Sequence, residues 1–114
     1  MLGESSTVSQ ENQNAHDISN MWHDIYYEMT AISMFRAEPK IAERAINQQI
    51  AMITKLISYL DDHQIKGGYR TEATRLMDKS IEIRIRLKEN GYLDQIDIDE
   101  IESIAPKWDH VKLL

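Results

Sequence analysis

The chain has 114 residues, of which 42% are hydrophobic and 28% charged, and it contains no cysteine. That is the make-up of one ordinary globular domain; the missing cysteine excludes disulfides, thiolate zinc sites and cysteine nucleophiles, and it accords with a reducing cytoplasm. A formal net charge of −6 argues against indiscriminate binding to nucleic acid or an anionic membrane, although residues 66–88 are locally basic, with seven basic and three acidic side chains.

Residues 2–15 are mostly Ser, Thr, Asn, Gln and Gly, with too few apolar groups to offset the entropy of ordering them. Residues 1–16 are therefore expected to form a flexible or loosely ordered arm, and residues 17–114 a single helical domain. Nothing in the arm reads as a secretory leader, and no uncharged apolar run is long enough to span a membrane. A cytoplasmic location is expected.

From Asp17 the pattern changes. Ile18, Trp22, Ile25, Met29 and Ile32 step by four and three, predicting a first helix over about 17–36 with Asp17 or Ser19 as its cap. Ala37-Glu38-Pro39 leaves only a short connection, so the next helix is expected to run antiparallel to it. That second helix, 39–63, starts with proline in its first turn. Ile46, Ile50, Ile53, Ile57 and Leu60 form one seam, and Ala42, Ala45, Met52, Leu56 and Tyr59 widen it to about half the circumference. Lys55 is the only formal charge between Ala45 and Leu60, so this helix is read as the central one, touching several neighbours.

Gly67-Gly68 is the clear internal turn signal. A third helix is predicted from an N-cap at Thr71 to Asn90, ended by Gly91 in a left-handed conformation. A rival reading exists: Ser80 to Lys88 alternates strictly, and Asn90-Gly91 followed by Tyr92 to Ile98 would complete a β-hairpin. The helix is preferred, because Ala73, Leu76, Met77, Ser80, Ile81, Ile83, Ile85 and Leu87 share one broad arc. Asp97 with Glu100 has the spacing of a capping box, and Ile96 with Ile101 that of a hydrophobic staple, predicting a short fourth helix over about 97–105 that stops before Pro106. An apolar tail containing Trp108, Val111 and Leu114 follows. The fold expected is thus all-α: an up-down bundle of three longer helices and one short C-terminal helix.

Motifs for catalysis are missing. The sequence has no phosphate-binding loop, no dinucleotide fingerprint, no His-Glu-x-x-His and no nucleophile elbow. No Glu-x-x-His pair supports a di-iron site, and the loose groups His23-Asp24-Glu28 and Asp61-Asp62-His63 read as solvated helix surface. No metal or cofactor is expected. Two surfaces remain. In the first helix Tyr27 and Met34 point nearly opposite the Ile18/Trp22/Ile25 seam, so one packed face cannot bury both sets; either the fourth helix and the tail, or a second protein chain, should cover that side. Trp22, Tyr27, Met34, Trp108, Val111 and Leu114 are the candidate contact residues for a protein partner or a second copy of the chain. The alternative is a small anionic ligand such as a nucleotide, held at the start of the third helix by Lys66, Tyr69, Arg70, Thr71 and Arg75.

Overall fold

The computed structural model describes residues 2–65 and 68–103, and for residues 2–9 and 11 their backbone only. Four helices follow in order: α1 (Leu2–Met34), α2 (Pro39–Asp62), α3 (Tyr69–Asn90) and α4 (Gln95–Glu102). The chain is all-α, with each helix packed on its neighbour in sequence, and the hairpin alternative over 80–98 is excluded because α3 runs unbroken to Asn90. Among the described residues no helix is long and apolar enough to cross a membrane.

The apolar steps read from the sequence are the buried ones. Ile18, Trp22, Ile25, Met29 and Ile32 of α1 meet Ala42, Ala45, Ile46, Ile53, Leu56 and Leu60 of α2, and Ala73, Leu76, Ile83 and Leu87 of α3 close the core from the other side. Each large aliphatic side chain so buried contributes roughly 1.5–3 kcal/mol. α2 is central: it packs along both α1 and α3, whereas no Cα atoms of α1 and α3 approach within 8 Å among the described residues. Cross-helix pairs set an antiparallel register. The Tyr59 hydroxyl lies 2.8 Å from Asp17 Oδ2, Gln49 bonds Ser80 at 2.9 Å, and Arg84 donates to Asn47 at 3.0 Å.

Local chemistry places the helix ends, in several cases not where the sequence pattern put them. Helical backbone continues upstream of Asp17 and Ser19, so neither caps α1; the side chains of Gln10, Asn12 and Gln13 are exposed, and burial begins only at Asn14. Pro39 occupies the first turn of α2 as predicted. That helix ends in a Schellman motif: Ile65 N–H donates to Leu60 O at 2.9 Å, Gln64 N–H donates to Asp61 O at 3.1 Å, and Gln64 sits between them at φ 52°. Gly68, at φ 84°, is the N-cap of α3, which puts Thr71 inside the first turn instead of at the cap. Gly91 closes α3 at φ 79°, as expected.

The cap of α4 lies three residues before the predicted one. Asp94 is the N-cap and accepts from Asp97 N–H at 2.9 Å. Leu93 and Ile98, at the staple positions around that cap, are both buried, whereas Ile96 is largely exposed. The turn between α3 and α4 is tied to the end of α1, with Leu93 N–H donating to Arg36 O at 2.9 Å and Arg36 bonding Gln95. The predicted stop before Pro106 lies outside the described residues.

Candidate interaction surface

From Ile18 to Met34, α1 is buried along one side and open along the other. Tyr27 is 74% exposed and Met34 71% exposed, opposite the seam that fills the core. Trp22, expected with them at a contact, is only 3% exposed: it stands one turn from Ile18 and Ile25 in the core and meets Tyr26 with ring centroids 6.3 Å apart. Of the two coverings considered for the open side, α4 is not one. It packs against both α1 and α3, where Leu93, Ile98 and Ile101 join the core. Trp108, Val111 and Leu114 lie outside the described residues.

Five charged side chains hold α4 in that place. Lys79 Nζ reaches Glu100 at 2.8 Å and Glu82 at 3.2 Å, while Arg86 pairs with Glu82 and with the nearly buried Asp97. The hydrogen bonds that Lys79 donates to Glu100 and then to Glu82 push its pKa up, and the Lys79 ammonium holds the Glu100 carboxyl below its ordinary range. At the other end of the bundle Tyr59 stacks on His63, with centroids 4.0 Å apart, and its hydroxyl is also 2.9 Å from Asn14 Oδ1. Burial, followed by the Asp17 hydrogen bond, pushes the Tyr59 hydroxyl up to about 12. The Tyr59 and Gln13 hydrogen bonds hold Asp17 below the usual carboxylate range. Along the α1–α2 contact, Glu28 is raised by burial and then by Asp24.

The register uncovers a pattern that residue-by-residue reading did not. Tyr26, Tyr27, Met34, Ile41, Ile81, Ile85, Tyr92 and Ile96 are the large apolar side chains exposed among the described residues. In the antiparallel register all eight lie in the half of the bundle that carries the α1–α2 turn and α4. The opposite half exposes none among the described side chains. Ile81 and Ile85 were expected in the core. α3 buries only Ala73, Leu76, Ser80, Ile83 and Leu87, a narrow stripe, because α2 covers one flank and the short α4 only part of the other.

The basic start of α3 is differently furnished. Arg70 pairs with Asp61 at 2.9 Å and donates to Thr74 at 3.2 Å, and Arg75 pairs with Glu72 at 3.4 Å. Tyr69 packs partly buried against the core, Thr71 is exposed, and Lys66 lies outside the described residues. Two of the cations that an anion would need are therefore already engaged with carboxylates. A cleft of about 390 Å³ occurs at the far end of the same helix, lined by Pro39, Lys40, Glu43, Leu87, Lys88 and Gly91. Among the described residues no group of three or more His, Asp or Glu side chains is placed to hold a metal ion. Comparison of the chain with protein-family models, with curated proteins and with solved structures returns no match.

Proposed function

We propose that this chain is a non-catalytic protein–protein interaction module, a small accessory or regulatory subunit of the cytoplasm, which works by burying the exposed apolar half of its bundle against another protein chain. The observation that carries the reading is the exposure of Tyr27 and Met34 on a helix whose opposite side is already filled. Large side chains left outside in this way, in company with six others in the same half, are the kind of surface that association removes from water. The nucleotide or other anion at Arg70 and Arg75 is the weaker reading, since both guanidinium groups have carboxylate partners.

The test replaces Tyr27 and Met34 together by Glu. Thermal melting first establishes that the variant keeps its fold, as two exposed positions should allow. Light scattering then follows self-association, and capture from the native host followed by mass spectrometry follows other partners. The wild type should associate in at least one of the two assays and the variant in neither. Indistinguishable behaviour of the two proteins in both assays overturns the proposal.

A further inference from the structure

The open side of α1 is more regular than Tyr27 and Met34 alone suggest. His16, Asn20, His23, Tyr27, Thr30 and Met34 step by four and three, and every one of them is exposed. This is the a/d spacing of a coiled coil, with Asn20, Tyr27 and Met34 at a and His16, His23 and Thr30 at d. No Asp, Glu, Lys or Arg stands in this seam. Its two edges differ: one carries Asp17 and Asp24 at e, and the other carries Asn12, Ser19 and Tyr26 at g.

Resting on the reading of this chain as an interaction module, we propose that the partner of this seam is a second copy of the chain, with the two α1 helices parallel and in register. A helix that packs here must present a matching uncharged four-three seam, and α1 itself does. Parallel pairing sets each e position against the g position of the other copy, so Asp24 faces Ser19, while the carboxylate of Asp17 stays on Tyr59 of its own chain. An antiparallel pair would set the acidic edges against each other. Parallel alignment also places Asn20 opposite Asn20 of the second copy, where an a-layer Asn pair selects two strands and one register. The core side of α1 points away from the seam, so the two bundles lie on opposite sides of the helix pair without colliding. With polar residues at four of the six layers, the contact is a micromolar one and not an obligate interface.

The chain has no cysteine, so a single one introduced at position 20 is a clean reporter. Light scattering across the micromolar range should show a monomer–dimer equilibrium. Under mild oxidation Asn20→Cys should give a disulfide-linked dimer, which Ser58→Cys, exposed on α2, should not. Tyr27→Glu should abolish the dimer, and Asp78→Lys, exposed on α3 outside the apolar half, should leave it intact. Loss of the dimer in Ile85→Glu but not in Tyr27→Glu places the contact on α3 and overturns the proposal. A dimer that fails to cross-link through position 20 overturns the parallel arrangement while leaving self-association in place. A wild type that stays monomeric overturns the second copy as partner; capture of a different protein that depends on Tyr27 and Met34 would then still uphold the interaction module.

Discussion

Gln49 donates its side-chain amide to the Ser80 hydroxyl across the α2–α3 contact at 2.9 Å, and both residues are completely buried. Ser80 in turn donates to Leu76 O at 2.8 Å, whereas Gln49 Oε1 has no hydrogen-bond partner. A buried carbonyl left unpaired costs free energy that a same-shaped apolar group would not. Ser80→Ala alone should therefore destabilise by about 1–3 kcal/mol, because it strands the Gln49 amide altogether. Gln49→Leu combined with Ser80→Ala should recover or exceed wild-type stability. Urea unfolding of the three proteins measures this, and a double variant that stays clearly below wild type would show that the polar pair stabilises the contact.

Gln64 takes the left-handed position that ends α2, at φ 52°, a conformation that costs an L-residue roughly 1–2 kcal/mol and costs glycine nothing. Gln64→Gly should raise the melting temperature, by an amount equivalent to about 1 kcal/mol once the extra freedom of glycine in the unfolded chain is counted. Gln64→Val, β-branched at the same φ, should lower it. A fall for Gln64→Gly would mean that the Gln side chain stabilises the turn.

Most of the core was legible because helical periodicity survives in the sequence whatever surrounds the helix: Ile18, Trp22, Ile25, Met29 and Ile32 are buried as their spacing requires. Pro39 and Gly91 marked their helix ends because proline and glycine act through the backbone alone. Other ends were ambiguous for a physical reason. Asp94 with Asp97, and Asp97 with Glu100, both have an acidic residue three positions after a potential cap, and only packing of Leu93 and Ile98 decides between them. Gln64 carries no mark at all, because the Schellman turn is chosen by the burial of Ile65 against the core and not by the residue that bends. Periodicity also cannot say how many neighbours a helix has. Ile81 and Ile85 lie on an apolar arc that would be buried between two full-length helices, and they are exposed because α4 is short. For the same reason the open side of α1 could be read from Tyr27 and Met34, but the gathering of exposed apolar residues in one half of the bundle needed the register between helices.

The Tyr59–Asp17 bond makes stability depend on pH at both extremes. The folded pKa of Asp17 is lowered, first by Tyr59, so its contribution is present above the ordinary 3.8 and lost as pH falls through the lower folded value. The folded pKa of Tyr59 is raised from 10.0 to about 12, first by burial and then by the Asp17 bond, so its contribution is present below 10 and lost as pH rises through that window. Melting temperature should fall at both ends. Tyr59→Phe should flatten both falls while lowering the plateau between them, and an unchanged profile in Tyr59→Phe would show that the bond does not persist in solution.

α4 has only eight residues, too few to hold as a helix without its contacts, and Arg86 is the group that ties its first turn down. Asp97 is 4% exposed, so removing its guanidinium partner leaves a buried carboxylate without a counter-ion, a cost relieved by reaching water. Reaching water requires the first turn of α4 to lift, and Leu93, Ile98 and Ile101 would lift with it. Arg86→Ala should therefore speed amide hydrogen exchange across residues 95–102 far more than across α1 or α2, whose core pairing does not involve Arg86. Asp97→Asn in the Arg86→Ala background should restore much of the protection, since a neutral amide there leaves no unpaired buried charge, and the Asp94 cap on its backbone N–H is untouched. Equal acceleration in all four helices would mean that α4 and the three-helix core unfold as one unit, and that Arg86 stabilises the whole bundle instead of a single detachable turn.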